Sequence, residues 1–123
     1  VPDVGVYDML HFEKETVGLF HKDEYGTITD SALFKCLYAY SPLHHLSATK
    51  TYPSLLILTA ENDDRVPPYH SYKFAAMLQH FGQSNPVLLR VEKKSGHSGD
   101  DTWEGRIQEA AEICGFLLHE LKN

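Results

Sequence analysis

Two short apolar runs constrain the fold of this chain more than any other feature of its sequence. Residues 54–60 read Ser-Leu-Leu-Ile-Leu-Thr-Ala, and residues 86–91 read Pro-Val-Leu-Leu-Arg-Val. Both runs are continuous rather than alternating, which is typical of strands that are covered on both faces of a parallel sheet. Two parallel strands need a crossover connection, which is usually a helix. The runs therefore predict an α/β fold.

Helical patterns lie between and after these runs. One helix is predicted to begin at the N-cap signal of Asp30 and to end before Pro42. Helical spacing of apolar residues predicts a second helix over 69–81 and an amphipathic helix over 102–121. Residues 4–9 are apolar and are predicted to be the end of a further strand. This alternation predicts one mostly parallel sheet flanked by helices.

Length and charge exclude several classes of protein. A chain of 123 residues is one domain or part of one. Its net charge of −6 argues against a nucleic-acid partner, and its longest apolar run, residues 55–58, is too short for a membrane span. Cys36 and Cys114 match no metal-binding spacing, and their apolar neighbours predict two buried free thiols. Free thiols are typical of a reducing compartment, and residues 1–10 show no signal-peptide pattern. Together these two features predict a cytoplasmic protein.

Two polar loops follow the apolar runs, and they contain Asp63 and His97. The carboxyl ends of parallel strands meet at one edge of a sheet, so we expect the two side chains within hydrogen-bonding reach. A carboxylate beside an imidazole fixes the tautomer of a general base, as in hydrolases with the chain order Ser, Asp, His. The alternative is that Asp63 caps the helix beginning near Tyr69 and His97 is an ordinary loop residue.

The nucleophile of such a hydrolase is missing from the sequence. No Gly-x-Ser-x-Gly motif occurs, and Ser98 is too close to His97 in the chain to be its catalytic partner. We therefore expect the nucleophile upstream of Val1. The residues imply neither a metal ion nor an organic cofactor.

Several segments resemble the prolyl oligopeptidase family. They are Val4–Leu10, Tyr40–His44, Tyr52–Leu56, Thr59–Val66 and Gly96-His97. The resemblance runs from Val4 to about His119, and the Asp-Asp-Arg-Val and Tyr-Ser-Pro-Leu segments make it specific. It implies that residues 1–123 are the C-terminal part of an α/β-hydrolase domain in a serine peptidase that cuts short peptides after proline. The serine, the oxyanion donors and a β-propeller would belong to an N-terminal remainder of the enzyme.

The resemblance also assigns roles to individual residues. Asp63 resembles the aspartate of the catalytic triad and His97 the histidine, while Arg65 resembles an arginine that holds a substrate carbonyl. The rigid fork of a guanidinium suits that task. The alternative for Arg65 is an ion pair with Asp64 or Glu61.

Four further residues correspond to a proline-binding pocket. Val6, Tyr25 and Val66 match lining positions, although Tyr25 has the alternative role of a packing aromatic. His21 stands where the family has a tryptophan that stacks on the proline ring. Because an imidazole offers less stacking area, the resemblance implies altered proline selectivity at this position.

The rival to a peptidase segment is a non-catalytic α/β fragment or interaction module that keeps only the hydrolase scaffold. In either case the isolated chain is predicted to be inactive by the triad route. One sheet edge and part of the helical cover would come from the remainder of the enzyme. Open edges and apolar patches recruit other chains, so we also predict that the isolated chain self-associates.

Overall fold

The fold is built on two parallel strands. The computed structural model describes residues 1–122, and at Thr16 it describes the backbone alone. In chain order, the described elements are α1 (Lys22–Tyr25), α2 (Ser31–Tyr40), β1 (Leu55–Ala60), α3 (Tyr69–His80), β2 (Val87–Glu92) and α4 (Trp103–Leu121), with 3₁₀ helices at Phe12–Lys14, Thr16–His21 and Pro42–His45. No helix within this part of the chain is long and apolar enough to cross a membrane. The predicted α/β fold is confirmed.

β1 is the buried centre of the fold. It pairs in parallel with β2, from Leu55 opposite Val87 to Ala60 opposite Glu92. The main core cluster joins β1, β2 and α3, and its buried members are Tyr7, Ile57, Ala75, Leu78 and Val87. This cover on β1 explains why its sequence is continuously apolar.

A second, smaller cluster holds the segment before α2. Met9, Phe12 and Leu37 are buried together, and Asp30 caps α2 by accepting hydrogen bonds from two backbone N–H groups. The buried carboxylate of Glu13 accepts from Ile28 N at 3.2 Å, which ties the beginning of this segment to its end.

The predicted strand over residues 4–9 is wrong, because none of these residues lies in a strand. Only Asp3 forms a parallel bridge, opposite Leu58, in which Leu58 N donates to Pro2 O and Val4 N donates to Leu58 O. Val4 has a φ of 40°, in the left-handed region that a β-branched residue rarely adopts. The chain therefore turns out of the sheet at Val4.

Side chains from elsewhere then take the backbone groups that a strand would use. Asp8 N donates to His70 Nδ1 at 3.1 Å, and Met9 N donates to Ser41 Oγ at 3.0 Å. These bonds fasten the segment to the surroundings of α2 and α3 rather than to β1.

The predicted burial of the cysteines is also wrong. Cys36 and Cys114 are free thiols, but both are exposed. Cys36 lies on α2, of which Leu37 is the buried residue, and Cys114 lies on α4, none of whose described residues is buried. Apolar neighbours in the sequence lead to burial only where another element covers that face of the helix.

Candidate active site

Asp63 and His97 lie together beyond the carboxyl ends of β1 and β2. His97 Nδ1 is 2.9 Å from Asp63 Oδ2 and 3.1 Å from Oδ1. The aspartate side chain is fully buried, whereas the histidine side chain is 28% exposed. The structure thus brings the two side chains into hydrogen-bonding contact at one sheet edge, as the spacing of the two loops predicts.

Backbone hydrogen bonds between the loops produce this contact. Glu61 N donates to Glu92 O at 2.7 Å, and Asn62 N donates to Ser95 O at 3.3 Å. These bonds continue the parallel ladder beyond the strands, so the loop after β1 stays beside the loop after β2.

The local turn orients the carboxylate of Asp63. Its Oδ1 accepts from Arg65 N and Val66 N, both at 2.9 Å, which fixes the side chain within its own loop. It does not cap α3, whose N-cap is Pro68 without a side-chain cap. When His97 donates its Nδ1 proton to this carboxylate, Nε2 keeps a lone pair, which is the tautomer a general base needs.

A pocket of about 370 Å³ opens beside His97. The five residues predicted to bind substrate all line it, together with the imidazole; they are Val6, His21, Tyr25, Arg65 and Val66. The volume lies within the usual range for small-ligand sites, and apolar walls with few polar groups are typical of such sites. The Asp63–His97 pair therefore lies at the edge of an open pocket, which His97 lines.

The outer wall of this pocket contains His21 and Tyr25. The Tyr25 ring packs edge-to-face on Phe12, with ring centroids 5.8 Å apart, so Tyr25 both packs and lines the pocket. His21 Nδ1 lies 3.1 Å from Glu24 Oε2, and the His21 side chain is 51% exposed. Glu24 thus holds the imidazole at the open side of the pocket.

The inner wall includes His70, which no sequence motif marks as a pocket residue. Its ring is 1% exposed and lines the pocket. Burial lowers the pKa of His70 to about 4, although the nearby Asp8 carboxylate acts in the opposite direction. His70 is therefore neutral near pH 7, and its Nδ1 accepts from the backbone of Asp8. A lone histidine in the first turn of a helix carries no periodic signal that would have revealed this role.

Other pocket residues were also missed. Met9, Phe12, Val17, Gly18, Tyr40 and Pro67 also line the pocket. Tyr40 is 51% exposed. It lies at the end of α2, where an aromatic pattern does not distinguish core from pocket wall.

A buried carboxylate supports the inner wall. Asp8 Oδ2 is 2.8 Å from His11 Nδ1 and 2.9 Å from Lys73 Nζ. Burial by itself raises the pKa of Asp8, but the hydrogen bonds from His11 and Lys73 outweigh it and leave the pKa below its ordinary value. This network joins the pocket segment to α3. Within residues 1–122, no group of three or more His, Cys, Asp or Glu side chains is arranged to hold a metal ion.

Comparison with known proteins identifies the family. The profile of the prolyl oligopeptidase family matches residues 1–123. The chain belongs to the prolyl oligopeptidase family. It is 46% identical to prolyl oligopeptidase A of Amanita bisporigera, over 98% of this chain and 16% of the relative. It is 43% identical to a prolyl endopeptidase of Elizabethkingia miricola, over 98% of this chain and 17% of the relative.

Solved structures give the same result for the fold. A prolyl endopeptidase structure superposes with a TM-score of 0.94 at 37% identity, covering 98% of this chain and 18% of that one. Prolyl oligopeptidase B from Galerina marginata superposes with a TM-score of 0.90 at 35% identity, covering 98% and 17%. The chain thus has the α/β fold of these peptidases and spans about one sixth of the curated relatives' length.

Proposed function

We propose that residues 1–123 are the C-terminal segment of a serine peptidase that cleaves short peptides after proline. In this proposal Asp63 and His97 are two members of the catalytic triad, and the serine comes from the N-terminal remainder of the enzyme. The observation that carries the proposal is the Asp63–His97 contact at 2.9 Å beside a pocket that Val6, Tyr25 and Val66 line.

The proposed chemistry follows from the protonation of His97. With Nδ1 bound to Asp63, Nε2 accepts the serine proton as the serine oxygen attacks the peptide carbonyl. The imidazolium then gives that proton to the leaving amine, while the buried carboxylate stabilises the transient positive charge. Asp63 keeps its position throughout, because its Oδ1 also accepts hydrogen bonds from Arg65 N and Val66 N.

Arg65 and the apolar wall would position the substrate. The Arg65 side chain lines the pocket, where its guanidinium is suited to donate to a substrate carbonyl. Val6, Val66 and the Tyr25 ring provide the flat apolar surface that a pyrrolidine ring requires. His21 replaces the stacking aromatic, which favours weaker selection for proline over alanine.

The test uses the complete enzyme that contains this segment. Asp63→Asn should lower kcat on a post-proline anilide substrate by about 10⁴-fold, and His97→Ala by about 10⁶-fold. The matched control is Asp64→Asn, which makes the same chemical change at the neighbouring, exposed residue and should leave kcat close to wild type. Retention of wild-type turnover by Asp63→Asn would contradict the assigned triad.

The rival function is a non-catalytic interaction module. A fluorophosphonate probe distinguishes the two, because it labels an activated serine irrespective of peptide preference. We expect labelling of the complete wild-type enzyme, none of the isolated 123-residue chain, and greatly slowed labelling of His97→Ala. No labelling of the complete protein, together with no peptide hydrolysis, would favour the interaction module.

The expected location of the enzyme is the cytoplasm. Two exposed cysteines that form no disulfide within the described residues support this proposal, because such cysteines are common in proteins of reducing compartments. Cell fractionation with an antibody against this segment tests it, and recovery in a secreted fraction would contradict it.

A further inference from the structure

Arg90 forms an ion-pair network beneath the loop that carries His97. Its Nη2 is 3.1 Å from Glu92 Oε2, its Nη1 is 3.0 Å from Glu109 Oε2, and its Nε donates to Glu112. The arginine side chain is only 15% exposed. Charge-assisted bonds at such a site are stronger than those on an open surface.

The network spans the two ends of the loop. Arg90 and Glu92 lie on β2, which enters the loop at residue 93, whereas Glu109 and Glu112 lie on α4, which begins where the loop ends. A single guanidinium therefore joins the entry of the loop to its exit. Residues 93–102 connect the end of β2 to the beginning of α4. The ion pairs of Arg90 fix the separation of these two elements, and so they also fix the distance that the loop spans.

Of the two network carboxylates on α4, Glu109 is the one that lies beside the loop, whereas Glu92 on β2 accepts from Lys94 N at the start of the loop. A methyl group placed on Gly99 would lie 3.9 Å from Glu109 Oε2. Arg90, Glu92, Glu109 and residues 96–99 of the His97 loop are among the residues that line a small cavity of about 120 Å³. The Arg90–Glu109 pair and the His97 loop thus line the same small cavity, with Glu109 next to Gly99.

The two halves of the loop are attached differently. The first half is bonded to the Asp63 loop, where Asn62 N donates to Ser95 O at 3.3 Å. The second half ends in α4, where Arg106 Nε donates to Asp100 O at 2.9 Å. Because no described residue of α4 is buried against the strands of this chain, apolar packing of α4 on β2 contributes little to fixing the second half, whatever covers the other face of α4 in the complete enzyme. The ion pairs from Arg90 supply that attachment.

We propose that Arg90 is a positioning residue for His97, acting through Glu109 to fix the height of the imidazole above Asp63. This inference rests on the proposed function, since it concerns the geometry of that catalytic pair. An arginine suits the task because its planar fork binds several carboxylates in fixed directions, whereas lysine presents a single point charge.

Glu109 and Glu112 provide a matched pair of variants for the test. Both residues lie on α4 and bind Arg90, but Glu109 is the one beside Gly99. In the complete enzyme, Glu109→Gln should lower kcat by about 10- to 100-fold, because a displacement of about 1 Å can cost about 10²-fold. Glu112→Gln should stay within about twofold of wild type, and KM should change by about twofold or less in both.

A second measurement separates positioning from a general effect of charge. In Arg90→Gln a nearby cation is lost, and electrostatics alone would move the acid limb of the kcat/KM profile to higher pH. A weakened contact between His97 and Asp63 instead destabilises the protonated imidazole, which moves the acid limb to lower pH. We expect the limb to move to lower pH, with partial recovery of kcat in Arg90→Lys.

The outcomes separate this inference from the proposed function. Equal kcat losses in Glu109→Gln and Glu112→Gln, or an acid limb that moves to higher pH in Arg90→Gln, overturn the positioning role. If Arg90→Gln does not fold, the two glutamate variants decide alone. A complete wild-type enzyme without peptidase activity or fluorophosphonate labelling overturns the proposed function, and this inference with it.

Discussion

Helices α3 and α4 lie beside the same two strands, yet they differ in how much they bury. α3 buries His70, Ser71, Ala75 and Leu78, whereas α4 buries none of its described residues. On α4, Trp103 and Leu121 are 77% and 81% exposed, although both belong to its apolar stripe. An amphipathic pattern therefore predicts that a helix forms. Whether the apolar face of that helix is buried depends on which other elements pack against it.

The largest effect that we expect from this difference is a change in assembly state. The open α4 face, and the edge of β1 on which Asp3 is the one bridging partner among residues 1–122, should cause the isolated 123-residue chain to self-associate at micromolar concentration. Sedimentation equilibrium measures this directly. Replacing Leu118 and Leu121 with lysine should weaken association if the α4 face takes part. A well-behaved wild-type monomer with a sharp unfolding transition would show a self-sufficient domain and favour the interaction module.

Two leucine truncations sharpen the comparison between the helices. Leu78 on α3 is 0% exposed, and Leu118 on α4 is 58% exposed. Leu78→Ala should lower the free energy of unfolding of the chain by about 2–5 kcal/mol, because it leaves a cavity in the core. Leu118→Ala should change it by about 0.5 kcal/mol or less.

Urea unfolding followed by circular dichroism, below the concentration at which the chain associates, gives both values. The same two variants in the complete enzyme test whether the remainder covers α4. There, a much larger effect of Leu118→Ala is expected. Equal losses of unfolding free energy in Leu78→Ala and Leu118→Ala of the isolated chain would contradict the expected difference in burial between α3 and α4.

Part of this architecture follows from the sequence alone. The apolar runs locate β1 and β2 to within about a residue, because covered parallel strands leave a strong local signal. The contact between Asp63 and His97 follows from the rule that carboxyl ends of parallel strands share an edge. The two strands are predictable from apolar patterns within single elements, and the Asp63–His97 contact is predictable from one rule of sheet topology.

The rest depends on partners that are distant in sequence. The strand predicted over 4–9 fails because His70 and Ser41 take its backbone donors, and neither partner is visible in a local window. Burial of Cys36 and Cys114 fails because it depends on what covers α2 and α4. The role of Arg90 emerges only once β2 and α4 are placed side by side.

Histidines on the two helices extend the comparison to pH. His70 on α3 has a pKa lowered to about 4 by burial, from an ordinary value of 6.5. Between pH 6.5 and 4, the unfolded chain therefore binds a proton at this histidine and the folded chain does not. The contribution of His70 to the free energy of unfolding is complete above pH 6.5 and falls as the pH drops towards 4. The loss should reach roughly 3 kcal/mol at the acid end of this window.

Urea unfolding at several pH values measures this loss, and His70→Asn should remove most of it. The asparagine oxygen can still accept the hydrogen bond from Asp8 N that His70 Nδ1 accepts. His119→Asn on α4 is the matched control, because that side chain is 76% exposed. A pH dependence that survives in His70→Asn would assign it to other groups.

The smallest effect concerns the pocket, whose inner wall is buried and whose outer wall is open. His70 on the inner wall is 1% exposed, whereas the side chain of His21 on the outer wall is 51% exposed and held by Glu24. An aromatic ring at position 21 would add apolar surface to the open outer wall of the pocket. Helix α3 already covers the inner wall through His70. Stacking of this kind contributes about 0.5–1.5 kcal/mol.

In the complete enzyme, His21→Trp should therefore raise the ratio of kcat/KM for post-proline over post-alanine substrates by about 2- to 12-fold. His21→Gln controls for loss of the imidazole, because it removes the ring without adding a stacking surface, and it should leave the ratio near wild type. Because Glu24 binds His21 Nδ1 outside the apolar wall, Glu24→Gln should affect the ratio less than the tryptophan does. An unchanged ratio in His21→Trp would show that the substrate ring does not reach the outer wall, and that Tyr25, Val6 and Val66 define selectivity by themselves.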